Sequence, residues 1–203
     1  VAFPGKDTFF NLLPTSVAEN SKRGNQFFVA DGADGYTPVV DETKGIVARV
    51  VLNLAYRFAG CSSMDDTCAT NMLNYLSETS SEDKKMGNYR VLVQWALEYP
   101  ETDRERDHYA ELSGTGVSDE KINTFADSDT RLRFAATAAP EVFNDVACSD
   151  IQHAGICGLR SADCGWSDDQ CMEVCAAGEA GASCAPCTAS EYSPGGVNAV
   201  CST

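Results

Sequence analysis

The chain has 203 residues, with 30 acidic and 15 basic side chains, two His and ten Cys. A net charge of -15 argues against nucleic acid or an anionic membrane surface as partner, because both need Lys and Arg gathered on one face. The length allows one domain with a small appendage, and the longest apolar stretch, Ile46 to Gly60, is broken by Arg49, Asn53 and Arg57, short of the ~20 residues that a membrane-spanning helix needs.

Residues 1–43 read as an irregular N-terminal segment. Pro4, Pro14, Gly24, Gly32, Gly35 and Pro38 interrupt every periodic pattern there. Gln26 to Ala30 is a candidate short strand ahead of an Asp31-Gly32 turn. The chain begins at Val1 without a basic-then-apolar leader, so the expectation is a processed form.

Lys44 to Ala59 carries the clearest helical pattern, with Val47, Val50, Val51, Leu54 and Phe58 at i, i+3, i+4, i+7 spacing and Gly60 at its end. Thr67 to Ser77 predicts a second helix with Met72, Leu73 and Leu76 inward. Cys61 and Cys68 flank the turn between them, and a bridge there would fix the angle between the two. Asn88 to Tyr99 predicts a third, with Val91, Leu92, Trp95 and Tyr99 inward and Pro100 as its stop. Thr102-x-x-Glu105 has the pattern of a capping box and opens a short polar helix to Leu112. Ser118, with Asp119 and Glu120, caps a further helix carrying Ile122 and Phe125. Thr130 to Phe134 alternates polar and apolar residues, which allows a strand, but Ala135 to Ala139 favours helix, and Pro140 suits the first turn of a last one with Val142, Phe143, Val146 and Ile151 inward.

Composition changes near Cys148. Residues 148–203 hold eight of the ten cysteines, seven acids and one basic side chain, Arg160. Their large apolar residues are few, so burial alone cannot hold this segment and covalent cross-links must supply the rest. Cys148, Cys157, Cys164, Cys171, Cys175, Cys184, Cys187 and Cys201 therefore read as disulfide half-cystines, as do Cys61 and Cys68. The spacing alone does not choose among their pairings. A zinc module would need a second pair at the spacing of Cys184 and Cys187, and the sequence has none. The fold class is mainly α: about six short helices over residues 44–147, followed by a loop-dominated, disulfide-rich module over 148–203.

Few constellations carry chemistry. Glu105 and His108 share a helix face, with Asp150 and His153 repeating the spacing later, and such pairs build metal sites in helix bundles. A dense run of charges around Glu105 gives the alternative of a solvated surface. Asp31, Asp34 and Asp41 offer oxygens on a Gly-containing turn, which makes calcium a candidate ion there, although the spacing is not that of an EF-hand. A plain Asp-Gly turn explains the same residues. No Gly-x-Ser-x-Gly elbow or phosphate loop is present. Cys184 and Cys187 match the spacing of a redox pair, but a turn-forming sequence follows them rather than a helix.

Cys184-Ala-Pro-Cys187, then Tyr192-Ser193, Pro194-Gly195-Gly196 and Cys201 resemble one Cys-rich repeat of the ephrin-receptor and TNF-receptor type. The resemblance covers under a tenth of the chain. It implies an extracellular spacer or binding surface, not a catalyst.

The leading reading is a secreted, non-enzymatic structural or interaction protein, a subunit of an extracellular assembly without a cofactor. Its partner is another protein or a further copy of itself, with no nucleic acid and no membrane insertion. The alternative is a secreted metal-binding protein or enzyme using Glu105, His108 and nearby carboxylates. A redox protein acting through Cys184 and Cys187 is a third.

Overall fold

The computed structural model describes residues 16–78, 85–114, 123–152, 154–160, 163–167, 169–174, 179–180 and 185–186. The chain divides into two compact units, Val1–Val142 and Phe143–Thr203. The fold is mainly helical, as the periodicity predicts, and the described residues hold eight α-helices.

The first helix lies inside the segment expected to be irregular. In α1 (Val17–Arg23) the Ser16 hydroxyl accepts from the Glu19 backbone N–H at 3.1 Å, and Gly24, with a φ of 51°, ends it. Ser16-x-x-Glu19 has capping-box spacing, so local hydrogen bonding outweighs the surrounding breakers. The expected strand over Gln26–Ala30 reduces to single bridges: Phe28 pairs with Tyr36 and with Gly87.

Helix α2 spans Asp41–Phe58, starting three residues earlier than the apolar pattern suggests because Asp41 and Glu42 suit a first turn. Val50 and Val51 are buried as expected, but the rest of its buried face differs. Ala48, Leu52 and Ala55 are wholly buried, together with Arg49 and Asn53. Val47, Leu54 and Phe58 are only half-buried. The small residues on this face admit a close neighbour, helix α4 (Tyr89–Glu98), which buries Leu92, Val93, Trp95 and Ala96. At Gly45 a Cβ atom would lie 2.5 Å from the Tyr99 carbonyl oxygen, so glycine permits this approach.

Helix α3 (Asp66–Met72) is shorter than expected and continues as turns. Asp65 caps it, accepting from the Cys68 backbone N–H at 2.8 Å, and the Cys61–Cys68 disulfide ties its first turn to the end of α2. Asn88 caps α4 through the N–H groups of Arg90 and Val91. Helix α5 (Asp103–Gly114) opens with the predicted capping box. The Ser118 cap and Ile122 lie outside the described residues. Phe125 sits in a 3₁₀ turn, Thr124–Ala126, with its ring edge-on to Tyr56 and Phe134. Helix α6 (Ser128–Ala138) packs on α3 and α4 and buries Leu132, Phe134 and Ala135. The helix expected from Pro140 through Ile151 stops early: α7 covers Pro140–Asn144. The division between units falls within it, five residues before the composition change.

In the second unit α8 (Ala154–Cys157) is followed by a hairpin of β1 (Cys164–Ser167) and β2 (Gln170–Glu173), turned at Asp169 with a positive φ of 60°. Trp166 stands opposite Cys171. Two disulfides, Cys148–Cys164 and Cys157–Cys171, anchor both hairpin strands to the helical part. These four sulfurs and Ile151 and Ile156 are buried and form the centre of the unit. A second short pair, β3 (Glu179–Ala180) and β4 (Ala185–Pro186), follows. Cys175, Cys184, Cys187 and Cys201, with the receptor-like repeat they frame, lie outside the described residues, as does His153.

Candidate functional site

The sequence singles out Glu105 and His108, and the structure separates their surroundings. Glu105 is buried and His108 is exposed. Glu105 is the third residue of α5 and closes its capping box, and its Oε2 accepts from the Thr102 N–H at 3.0 Å. The same carboxylate receives two bonds from Arg49 of α2: Nε to Oε1 at 3.0 Å and Nη2 to Oε2 at 2.6 Å. Arg49 Nη1 donates to the Tyr99 carbonyl at 2.6 Å. Both oxygens of Glu105 are thus engaged by protein donors, and the geometry is a forked ion pair.

A polar layer surrounds this pair. Asn53 accepts from the Thr124 N–H at 3.1 Å, and Asn123 donates to the Tyr109 hydroxyl at 3.1 Å. Arg131 donates to the carbonyls of Phe125 and Ala126. Burial pushes the Tyr109 hydroxyl up to about 12, and the nearby Glu105 charge adds to the effect. Burial, then the Glu105 charge, raises the Glu101 carboxyl. Burial and the neighbouring Arg49 lower Arg131. These groups hold α2, α5, the 3₁₀ turn and α6 together. Most of their donors and acceptors are spent on one another and on nearby backbone, while Asn53 Nδ2 and Arg131 Nε are buried without a hydrogen-bond partner.

Asp31 and Asp41 do converge, but on Lys44. Its ammonium donates to Asp41 at 3.0 Å and to Asp31 at 3.4 Å. The Asp41 hydrogen bond, and then the one to Asp31, raise the Lys44 pKa. A side-chain cation stands between the two carboxylates considered for calcium, while Asp34 is exposed. Among the described residues no three His, Cys, Asp or Glu side chains form a group suited to a metal ion. No free cysteine occurs among them either.

Two features that the sequence pattern did not show remain open to solvent. One is a cleft of about 500 Å³ between α1 and α2, walled by Val39, Val40, Val47 and Leu54 and by Ser16 and Arg23 of the α1 segment. The amphipathic pattern of α2 places Val47 and Leu54 in the core, so the cleft was hidden by that assumption. The other is the hairpin of the second unit, where Trp166 is 36 % exposed and Leu159, on the adjoining 3₁₀ turn, is 56 % exposed. A concavity of about 640 Å³ lies beside β2, lined by Ile151, Gln152, Gln170 and Met172 among others. Two buried disulfides fix this hairpin from below, so its exposed side chains are presented on a rigid support.

No protein family matches the sequence, and no curated protein or solved structure is significantly similar to it. No helix among the described residues is long and apolar enough to cross a membrane. The three disulfides among the described residues are consistent with an oxidising, extracellular setting.

Proposed function

We propose that the protein is a secreted, non-enzymatic interaction protein, a subunit of an extracellular assembly, and that its disulfide-framed unit supplies a contact surface. One observation carries this reading. Trp166 is exposed on a hairpin cross-linked on both strands to the body of its unit, and Leu159 is exposed on the adjoining 3₁₀ turn. An exposed aromatic on a pre-organised support loses little entropy on binding, and Trp is enriched among residues that dominate interfaces. The resemblance of Cys184 to Cys201 to an extracellular receptor repeat points the same way. So does the engagement of Glu105 by Arg49, and of Asp31 and Asp41 by Lys44, which leaves these groups in internal pairs.

Light scattering over a concentration series tests the assembly. The full chain should form particles larger than one copy, and Trp166→Ser should dissociate them while the disulfides stay intact. A chain that remains monomeric at every concentration overturns the self-assembling form of this reading. Quantitative thiol titration under native conditions tests the extracellular assignment, with no titratable thiol expected.

A further inference from the structure

We infer that the cleft between α1 and α2 binds an elongated apolar carboxylic acid, at a site formed within the first unit alone. Its volume of about 500 Å³ falls in the size range of small-molecule sites, about 300–1,000 Å³. Thr43 and Leu54 both line it, so it follows roughly 16 Å of the α2 axis and suits a long rather than a compact occupant. The two walls differ in chemistry. The α2 side is apolar: Val39 and Val40 on the rim are 71 % and 58 % exposed, and Val47 and Leu54 are half-buried. The α1 side is polar, contributing Glu19, Asn20 and Arg23, and no residue of α1 is buried. An occupant that satisfies both walls is itself amphipathic.

Arg23 sets the sign of the polar end. Its guanidinium lies 4.9 Å from the centre of the Phe28 ring, and its Nε is buried without a hydrogen-bond partner. Among the described residues it makes no ion pair. Glu19, the other charged side chain lining the cleft, is taken up by the Tyr36 hydroxyl, which donates to it at 2.9 Å. The charge left without a partner is therefore positive. A carboxylate presents two coplanar acceptors to such a guanidinium fork. A hydrocarbon chain extending from it along Val40, Val47 and Leu54 takes their apolar surface out of water, and each buried methylene strengthens binding about fourfold.

Isothermal titration calorimetry of the full chain with octanoate, and with octanol as its uncharged counterpart, tests the inference. Octanoate should bind saturably. Arg23→Gln should weaken it about tenfold or more and leave octanol unchanged. Val40→Ser should weaken both ligands, and neither variant should alter the helical circular dichroism. Amide shifts on titration should cluster at Val40, Val47 and Leu54. No saturable binding of octanoate, an unchanged affinity in Arg23→Gln, or an equal loss for octanol would overturn the inference, as would shifts confined to other surfaces. Trp166→Ser should leave octanoate binding intact, and a loss there would move the ligand off the cleft and overturn the site. The assembly reading rests on Trp166 and light scattering, so either idea can fail alone.

Discussion

Arg49 and Glu105, 56 residues apart in sequence, form a two-pronged ion pair that is almost wholly closed to solvent. It joins the middle of α2 to the first turn of α5, and through Arg49 it also reaches the Tyr99 carbonyl beyond α4. A pair this deep is costly to desolvate, and its weight shows when one partner is lost.

Arg49→Met strands a buried carboxylate, so unfolding free energy should fall by about 3–5 kcal/mol. The double variant Arg49→Met, Glu105→Leu removes both charges and should recover most of that loss. Urea denaturation of the parent, the single variant and the double variant checks both expectations. A single variant as stable as the parent would mean that Glu105 finds other donors.

Gly45→Ala weighs two opposed effects. Alanine favours helix by about 1 kcal/mol. The added Cβ would stand 2.5 Å from the Tyr99 oxygen and 2.8 Å from its Cβ, contacts that real structures do not tolerate. The nearer obstacle is backbone and is held by Arg49, so the clash should win, with a net loss of about 1–2 kcal/mol. The midpoint of chemical denaturation reports it.

Tyr109 predicts an alkaline weakness. Burial raises its folded value to about 12, above the ordinary 10.0. The unfolded chain therefore releases this proton first. The stability of the neutral phenol is complete below the ordinary value and is lost as pH rises toward 12. Tyr109→Phe should cost about 1 kcal/mol at neutral pH, through the hydrogen bond from Asn123, and should flatten the fall in melting temperature above roughly pH 10. An equally steep fall in the variant would assign the effect to other tyrosines.

The crossed bridges of the second unit should matter to that unit alone. Replacing Cys157 and Cys171 with Ala removes the closure of a loop of 14 residues, worth about 3 kcal/mol. Amide exchange should quicken at Ile156 and Met172 while Leu92 and Leu52 keep their protection. Uniform quickening along the chain would show that the units unfold together.

Much of the helical framework was legible because its signals are local. Asn88 caps α4 where the pattern starts that helix, and Thr102 with Glu105 forms its predicted reciprocal cap from two residues three apart, whereas the Asp65 cap of α3 was not read. Helix α1 was readable by the same rule from Ser16 and Glu19, but the surrounding Pro and Gly masked it. The candidate site was less legible. The apolar stripe Val47, Val51, Leu54 of α2 is genuine, yet it is shared between core and cleft, because α2 meets neighbours on more than one side.

The sequence by itself determined the helical class, the caps and the cross-linked character of the last quarter, since propensity, capping and cysteine density act within a few residues. Only the tertiary structure decided that Arg49 and Asn53 point inward. Their partners, Glu105 and the Thr124 N–H, lie 56 and 71 positions away, and a buried polar group is tolerated only once such partners arrive. Tertiary structure likewise gave Asp31 and Asp41 to Lys44, chose the Cys148–Cys164 and Cys157–Cys171 pairing, and left the α1–α2 cleft open. Each depends on where distant segments meet, which no local periodicity encodes.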